Sequence, residues 1–525
     1  MNSESLFAGI DISTQGCKLL ILDTEKEKVV YVDSLNYDQD LPHYHTQEGT
    51  LTDLKEGCSE SDPHMWIEAI EVLFERLKKS KIHQEKIQCI SVSGQQHGLV
   101  SLDSQGKLTR QTSKLWNDFS TIEECELLTH AVGGKNAMIK EVGNSQKTGY
   151  TAPKILHMLR HEPEIFKRTH TFLVVHNYIN WVLTGGIKVM EPGDTSGTAL
   201  WNPKTKKWSK KVINAIDPSL KKKLPPVKSS VRTIGVMSSS LVKKFGFSPK
   251  CKIDAGSGDN MYGAVGTGNI DPGILSISLG TSGTAFTILK DPYIDPSGEI
   301  ACYCDSIGNY LPLLCVSNLS NGYNRLIKKY KISHEEFTQI IRQTKPGNRG
   351  RILIPWYVGE RTPDLPLASP LYFGFKLNDF NKNTLCRAVL EGHILNLYQG
   401  FKRMPVKTKE IRLTGGLSQS DAWRQAIADI FEAETIPVLG EGAALGAAIH
   451  ASWVWGTEEG MNRTLEDLTS TFVKLDLQAK KKPNPKAIPV YQLQKRLFQA
   501  LVQRIQGKKG EDPFELQHQL KSKSI

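Results

Sequence analysis

The sequence predicts an α/β protein made of two similar domains, and three observations support this fold class. Near the N-terminus an apolar strand, a polar turn and a second apolar strand follow one another (LFAGIDI, STQG, CKLLILD). The same layout returns about midway along the chain (ILSISLG, TSG, TAFTILK). Two β-rich runs joined by a tight Gly, Ser or Thr turn are typical of a hairpin. Helical and strand-like patterns alternate between the two hairpins, which favours a mixed or parallel sheet.

The segments between the hairpins support the same prediction. The segment HMWIEAIEVLFERLKK (64–79) carries apolar residues three and four positions apart, which predicts an amphipathic helix. A strand, KIQCISVSG, follows and ends in the loop GQQHG. The pattern changes around Phe245–Ala255, so we predict a domain of residues 1–252 and a second of residues 253–525. YQLQKRLFQALVQRI predicts a terminal helix, and we expect the last residues to be polar and loosely ordered.

Composition indicates an ordinary globular protein. Of the 525 residues, 39% are hydrophobic and 23% are charged. No apolar run approaches the roughly 20 residues that a membrane helix needs, and the N-terminus lacks a basic and apolar leader. We therefore expect a cytoplasmic protein with no membrane partner. The nine cysteines are scattered, and no CxxC pair or Cys/His cluster has zinc spacing, so we expect reduced, mostly buried thiols.

The net charge of +11 raises the question of nucleic-acid binding. The basic residues form short clusters, such as 204–207, 221–223 and 480–482, and no long stripe with interleaved aromatic residues. Attraction of anionic small substrates, or solubility alone, explains this charge equally well. We expect no nucleic-acid partner.

Two turns are candidates for phosphate binding. Asp11 ends the first strand and precedes the turn 13–16, whose hydroxyl, amide and backbone groups suit Mg²⁺ and phosphate oxygens. Taken alone, this segment is equally typical of a capped hairpin. The turn 280–284 (GTSGT) is not a Walker A loop, but lies between two strands and resembles the first turn in layout.

Three other segments carry candidate site residues. In 256–263 (GSGDNMYG), small residues surround Asp259, which suits either a helix cap or a general base, and spacing does not decide between them. Gly415 and Gly416 follow a strand and permit close approach of a flat ligand such as adenine, although a simple turn is the alternative. In GQQHG, His97 is either structural or placed to hydrogen-bond a polyol. The small residues 442–448 predict a tightly packed helix.

Taken together and in this order, these segments resemble the FGGY family of carbohydrate kinases from Phe7 to about Gly456. AGSGDNMYGAVGTGNIDPG, SISLGTSGTAF, ILIPWYVGERTP, LTGGLSQSDAWRQAIADIF and EGAALGAAI are similar to the members that act on xylulose. The resemblance implies two actin-like (RNase H-like) domains, with sugar and ATP bound in the cleft between them. It implies an N-terminal sugar-binding domain, a C-terminal nucleotide-binding domain, and phosphorylation of D-xylulose to D-xylulose 5-phosphate.

The resemblance also assigns roles to individual residues, with ATP and Mg²⁺ as cofactors. Asp259 matches the catalytic base, and Asp11 is the metal-side carboxylate. The sugar-binding positions are Gln96, His97, Asp259 and Asn260. The nucleotide-binding positions are Thr14, Gln15, Gly280, Thr281, Ser282, Gly415, Gly416 and Ser420.

The sequence departs from the family pattern at three places, and these affect the expected sugar more than the chemistry. Ser13 stands where many members have Gly, and Ser120 stands where many have Arg. After the Pro-Lys pair, Ile155 and Leu156 lead to His157, where the family usually shows a Trp. Alternative functions are a sister kinase for ribulose, sedoheptulose, glycerol or another polyol, or a non-catalytic ATP-binding sensor. The oligomeric state stays open, with a homodimer as one possibility.

Overall fold

The structure is a computed structural model that describes residues 5–440 and 442–523, and the chain divides into two compact units. Unit 1 comprises the described residues of Met1–Ile270, Leu289–Leu311 and Gly440–Lys474. Unit 2 comprises those of Asp271–Ile288, Pro312–Leu439 and Leu475–Ile525. The predicted domains, residues 1–252 and 253–525, are defined by their sugar-binding and nucleotide-binding roles. The division into compact units does not test these roles, so the two domains stay a prediction.

The described residues alternate between short strands and helices along the whole chain. The strands are β1 Leu6–Ile12, β2 Gly16–Asp23, β3 Lys28–Asn36, β4 Thr46–Gln47, β5 Thr50–Leu51, β6 Glu60–Ser61, β7 Ile87–Gly94, β8 Val100–Leu102, β9 Ser113–Lys114, β10 Thr171–Leu173, β11 Trp201–Asn202, β12 Lys207–Trp208, β13 Thr233–Val236, β14 Lys252–Asp254, β15 Ser257–Gly258, β16 Ile274–Leu279, β17 Gly283–Thr287, β18 Ala301–Cys304, β19 Tyr310–Val316, β20 Ile352–Ile354, β21 Leu371–Phe373, β22 Glu410–Thr414, β23 Glu434–Leu439 and β24 Lys474–Leu475. The helices are α1 Tyr37–Asp40, α2 Pro63–Lys78, α3 Ile122–Ala131, α4 Lys135–Val142, α5 Thr151–His161, α6 Pro163–Arg168, α7 Val175–Thr184, α8 Pro192–Ser196, α9 Lys210–Ile216, α10 Ser239–Phe245, α11 Asp259–Gly266, α12 Asn321–Tyr330, α13 His334–Gln343, α14 Lys382–Phe401, α15 Asp421–Phe431, α16 Gly442–Glu458, α17 Leu465–Phe472, α18 Ile488–Ile505 and α19 Pro513–Lys523.

Unit 1 is built on a mixed sheet with the strand order β13-β14-β7-β1-β2-β3, in which β15 also pairs with β7. The predicted first hairpin is confirmed, since β1 and β2 pair antiparallel from Leu6 opposite Asp23 to Ile12 opposite Cys17. Strand β7 runs parallel to β1, and β15 runs parallel to β7. The carboxyl ends of β1, β7 and β15 therefore meet at one edge of the sheet.

Helices cover this sheet closely. The predicted amphipathic helix is α2, and its observed range differs from 64–79 by one residue at each end. Its apolar face, including Trp66 and Leu73, is buried. Helix α16 packs against β1 at Gly9, where an added Cβ would lie 2.0 Å from the carbonyl oxygen of Ala444. It also packs against α11, where a Cβ at Gly446 would lie 1.9 Å from the carbonyl oxygen of Tyr262, so the predicted tight packing of this small-residue helix is confirmed.

Unit 2 contains a sheet in which β19, β17, β16, β22 and β23 are neighbours in this order. The predicted second hairpin is confirmed, with Leu279 of β16 opposite Gly283 of β17. Strands β16 and β22 are parallel, and Ser278 lies opposite Thr414. The ends of these two strands therefore share one edge, as in unit 1.

The predicted terminal helix is α18, which begins three residues before the predicted segment. The prediction of a loosely ordered end is wrong for residues 513–523, which form α19. Leu516 and Leu520, four residues apart, are buried, and Gln517 donates a hydrogen bond to the carbonyl oxygen of Gly350 at 3.1 Å. The segment carries few apolar residues, and Phe514 is exposed and does not share the buried face of the two leucines, so no helical period is visible in the sequence.

The composition led us to expect reduced, mostly buried cysteines and no membrane helix, and the structure bears on both expectations. All nine cysteines are free, and most are buried. In the part of the chain that the structure describes, no helix combines the length and the apolar character that crossing a bilayer requires.

Candidate active site

A cluster of polar side chains lies at the edge of the unit 1 sheet where three strands end. Ile12 of β1 and Gly258 of β15 both lie opposite Gly94, the last residue of β7. The residues just before or after these positions are Asp11, Gln95 to His97, and Asp259. Parallel pairing therefore brings together three segments that are far apart in the sequence, as the carboxyl ends of parallel strands do in many ligand sites.

Asp259 is the first residue of α11, and Gly258 occupies the N-cap position. Its Oδ1 accepts hydrogen bonds from the backbone N–H of Asn260 at 2.8 Å and from Asn260 Nδ2 at 2.9 Å. Burial, together with the charges of Asp11 and Asp194, raises the pKa of Asp259 to about 7, and the bonds from Asn260 oppose the shift. A carboxylate with this pKa is suited to accept a proton at neutral pH.

Gln96 is fixed beside Asp259 by a second amide. Asn260 Nδ2 donates to Gln96 Oε1 at 2.9 Å. Gln96 is buried, and its Nε2 has no hydrogen-bond partner among the described residues. A Cβ at Gly258 would lie 2.8 Å from Gln96 Cγ, so only glycine leaves room for this side chain. A buried amide donor without a partner is costly, and a ligand hydroxyl could satisfy it.

His97 has a left-handed backbone conformation with φ at 67°. Its carbonyl oxygen accepts hydrogen bonds from Lys154 Nζ at 2.7 Å and Thr151 Oγ1 at 3.5 Å. Its ring lies between Tyr150 and Tyr303, with ring-centre separations of 4.7 and 6.1 Å. Such a conformation costs energy for a residue other than glycine and is maintained only when its surroundings enforce it. Lys154 and the two tyrosines are therefore part of the support of this site.

Lys154 itself is buried in α5, with 1% of its surface exposed. Burial lowers the pKa of its amine to about 7, although the charge of Asp118 opposes this shift. In the sequence, Lys154 is only the second residue of the Pro-Lys pair, and no motif indicates a function for it. A buried lysine that donates to a backbone carbonyl cannot be recognised from sequence periodicity.

Asp11 lies at the end of β1 and accepts a hydrogen bond from Ser93 Oγ at 2.7 Å. Burial raises the pKa of Asp11, while the bond from Ser93 and the charge of Lys18 oppose the shift. In the adjacent turn, the backbone N–H of Ser13 donates to the carbonyl oxygen of Gly16 at 3.0 Å. Thr14 Oγ1 accepts from Trp116 Nε1 at 2.9 Å. Gln15 is exposed at the tip of this turn.

The donor set around Asp11 fits a hard divalent cation. The negative charges of Asp11 and Asp194 contribute to the raised pKa of Asp259. The positive groups of the protein therefore do not fully compensate the negative charge of these carboxylates. Carboxylate and hydroxyl oxygens are the ligands that Mg²⁺ prefers. A bound cation would compensate the charge that these carboxylates share.

A second set of buried carboxylates was missed by the sequence analysis. Glu191 is the N-cap of α8 and accepts hydrogen bonds from the backbone N–H groups of Gly193 at 2.6 Å and Asp194 at 2.7 Å. Asp194 Oδ2 lies 2.9 Å from His176 Nδ1. Burial raises the pKa of Glu191 to about 7. The signal in the sequence was Pro192 in the Glu-Pro-Gly-Asp segment, because Pro at the first helical position is typical of a helix start.

A buried ion pair supports the strand that leads to Asp259. His450 of α16 donates from Nδ1 to Asp254 Oδ2 at 2.5 Å and from Nε2 to the carbonyl oxygen of Ser306 at 2.8 Å. Both ring nitrogens face oxygen acceptors, an arrangement that favours the doubly protonated, charged form of the ring. Burial lowers the pKa of His450, but Asp254 and Ser306 outweigh burial, so the pKa is raised. Asp254 is five residues before Asp259.

The remaining candidate residues form a second cluster within unit 2. In the turn between β16 and β17, Thr281 and Ser282 are exposed. The carbonyl oxygen of Thr281 accepts hydrogen bonds from the backbone N–H groups of Leu319 at 3.0 Å and Ser320 at 3.2 Å. This turn therefore presents hydroxyl and backbone groups at the end of β16, next to Gly280.

Gly415 follows β22 at the same edge as that turn. Its φ is 83°, and an added Cβ would lie 2.7 Å from the carbonyl oxygen of Leu279, so the position requires glycine. A Cβ at Gly416 would have no neighbour within 4 Å, which leaves open space for a flat ligand. Ser420 Oγ is buried and has no hydrogen-bond partner among the described residues. The two predicted nucleotide segments of unit 2 thus lie side by side.

Comparison with known proteins gives the same family for most of the chain. Residues 6–266 match the model of the N-terminal domain of the FGGY family of carbohydrate kinases, and residues 275–455 match that of its C-terminal domain. The chain is 34% identical to the xylulose kinase of Haemophilus influenzae, over 93% of this chain and 97% of that protein.

Solved structures extend the similarity to the fold. The ligand-bound xylulose kinase from Lactobacillus acidophilus superposes with a TM-score of 0.85 and 25% identity, over 96% of this chain and 98% of that one. The gluconate kinase from the same organism superposes with a TM-score of 0.84 and 25% identity, with the same coverage. The predicted two-domain α/β, actin-like fold is confirmed.

Proposed function

Because this chain belongs to the FGGY family of carbohydrate kinases, we propose that it transfers the terminal phosphoryl group of ATP to D-xylulose and forms D-xylulose 5-phosphate. The observation that carries this proposal is the hydrogen-bonded set of Gln96, Asn260 and Asp259 at the ends of three strands. It combines a proton acceptor with amide groups suited to a polyhydroxylated ligand. The 34% identical relative from Haemophilus influenzae is a xylulose kinase, which supports the choice of sugar.

Asp259 acts as the general base in this proposal. Both hydrogen bonds from Asn260 end on Oδ1, which leaves Oδ2 to accept the proton of the sugar hydroxyl. The hydroxyl oxygen forms a bond to the γ-phosphorus while the bond from that phosphorus to the β-phosphate oxygen breaks, and ADP leaves. Such a transfer depends on positioning and on electrostatic stabilisation more than on covalent chemistry.

The other candidate residues bind and orient the two substrates. Gln96, His97 and Asn260 hold the ketose. Asp11 is the carboxylate that holds Mg²⁺, which when bound neutralises charge on the phosphate oxygens. The residues that bind ATP are Thr14 and Gln15 of the first turn, Gly280, Thr281 and Ser282 of the second turn, and Gly415, Gly416 and Ser420 at the adenosine.

The choice of sugar is tested by measuring ADP release with a panel of acceptors. The panel contains D-xylulose, D-ribulose, sedoheptulose, glycerol and gluconate, and the last is included because a gluconate kinase is as similar in structure as the xylulose kinase. We expect kcat/KM to be highest for D-xylulose by at least about tenfold, because a site built to hydrogen-bond specific hydroxyls rejects analogues that leave its groups unpaired. A higher kcat/KM for another acceptor would contradict the choice of sugar but not the kinase activity.

Lys154→Met is expected to weaken sugar binding by removing the shorter hydrogen bond to the carbonyl oxygen of His97. A buried carbonyl that loses its partner costs about 1–3 kcal/mol. We expect KM for the sugar to rise by about tenfold, with a smaller change in KM for ATP. Lys211→Met, which changes an exposed lysine of α9, is the matched control. Equal kinetics for both variants would show that Lys154 does not position His97.

Two further features of the proposal concern the protein in solution. We propose a cytoplasmic enzyme, in keeping with its small-molecule substrates. A homodimer stays a prediction, and light scattering on the purified chain, by giving its mass in solution, distinguishes it from a monomer of 58.5 kDa.

A further inference from the structure

A cluster of metal-binding side chains lies in unit 1 and has no part in the proposed reaction. His157 and His161 are four residues apart in the last turns of α5, and Glu124 belongs to α3, which packs against α5. Side chains four residues apart lie on the same face of a helix. The fold therefore places two imidazoles and one carboxylate on neighbouring faces of two helices.

The separations between these side chains match those within a metal coordination shell. His157 Nδ1 lies 3.4 Å and His161 Nε2 lies 3.3 Å from Glu124 Oε1, and the three donor atoms lie within 4.8 Å of one another. In a tetrahedral zinc site with bonds of about 2.0–2.1 Å, adjacent ligand atoms are about 3.3–3.4 Å apart. Two of the three separations already have this value.

Two buried polar atoms of the cluster lack hydrogen bonds. Glu124 is 1% exposed, and its Oε2 has no partner among the described residues, nor does His157 Nδ1. Buried polar atoms without partners are uncommon and indicate a missing ligand, ion or water.

The positive charge of Arg160 opposes a cation here, but acidic residues balance it. Arg160 donates from Nη1 to Glu124 Oε1 at 2.6 Å and from Nη2 to Glu123 Oε1 at 2.6 Å. The two carboxylates of Glu123 and Glu124 exceed the single guanidinium of Arg160 by one negative charge. A carboxylate oxygen has two lone pairs, so Glu124 Oε1 can accept from Arg160 and bind a metal ion at the same time.

We propose that Glu124, His157 and His161 form a binding site for a divalent transition-metal ion, with Zn²⁺ as the best-fitting ion. Two imidazoles and one carboxylate are a ligand set that zinc uses, with a water in the fourth position. The sequence shows no zinc spacing here because Glu124 lies 33 residues before His157 and joins the two histidines only in the fold.

The test is a titration of the full-length chain, free of any affinity tag, with ZnCl₂ in the absence of nucleotide. Binding is followed by calorimetry and by competition with a chromophoric chelator. We expect one equivalent to bind saturably, and we expect His157→Gln and His161→Gln each to weaken it by at least about tenfold. His83→Gln is the control, because His83 is exposed and lies 3.1 Å from Glu85, and the pair belongs to no group of three metal-binding side chains among the described residues.

An X-ray absorption spectrum of the zinc-loaded chain provides a second readout, and it should show two imidazoles among nitrogen and oxygen ligands. The absence of saturable binding to the wild type would overturn the proposal. Unchanged affinity in both His157→Gln and His161→Gln would do so as well. Because His161 is about half exposed, its substitution keeps the test valid even if His157→Gln disturbs folding.

Discussion

Asp259→Asn is expected to lower kcat by about 10²–10⁴-fold, because it removes the proposed general base, which in the proposed mechanism accepts the proton of the sugar hydroxyl. The change keeps the size of the side chain and its position at the start of α11. The bond from the backbone N–H of Asn260 to Oδ1 can persist, so we expect the fold and ATP binding to be retained. Stopped assays of ADP formation, with nucleotide affinity measured separately, give the two quantities.

The same account predicts a pH dependence. Because the pKa of Asp259 is about 7, kcat/KM should fall about tenfold per pH unit below pH 7, where the carboxyl group is protonated. Glu164→Gln, which changes an exposed carboxylate of α6, is the control and should leave the rate and its pH profile unchanged. Turnover by Asp259→Asn at the wild-type rate would remove Asp259 from the mechanism.

His450→Leu is expected to lower the free energy of unfolding of unit 1 by about 3 kcal/mol or more. Asp254 and His450 are both fully buried, and removing one member of a buried pair leaves the other charge without compensation. The variant also removes the bond from His450 Nε2 to Ser306. Denaturant unfolding followed by circular dichroism measures the effect. Because Asp254 precedes the Asp259 segment, we also expect lower activity.

The double variant Asp254→Val/His450→Leu is the control for this prediction. Replacement of a buried ion pair by apolar side chains is often neutral, so the double variant should recover much of the lost stability.

The raised pKa of His450 also determines how the stability of the wild type depends on pH. A raised folded-state pKa contributes stability below the unfolded value, about 6.5, and this contribution is lost as pH rises through the folded-state pKa. The difference between wild type and His450→Leu should therefore shrink at alkaline pH, and a constant difference from pH 5 to 9 would contradict a charged pair.

The parts of the fold that the sequence predicted are those with a local signal. The two hairpins have apolar strands and tight turns that identify them, and α2 has a clear helical period. The grouping of Asp11, Gln96 and Asp259 follows from these strands, because parallel pairing places their ends at one edge of the sheet. Whether Asp259 is a cap or a base was open, and the structure places Gly258 at the N-cap position.

The parts that the sequence did not predict depend on contacts between distant segments. Lys154 supports His97 through one bond across 57 residues, and no pattern in either segment indicates it. Asp194 and His176 meet only when α7 and α8 have packed. Helix α19 has too few apolar residues to show a period, and its stability comes from Leu516 and Leu520 packing in unit 2. Tertiary packing decides each of these features, and local propensity does not.

The most direct test of the account is to identify the product by NMR after incubation of the chain with ATP, Mg²⁺ and D-xylulose. We expect sugar-dependent loss of ATP, one ADP per sugar consumed, and a phosphate ester whose phosphorus couples to the C5 methylene group. A phosphate ester at another carbon, release of inorganic phosphate alone, or no loss of ATP with any member of the acceptor panel would contradict it.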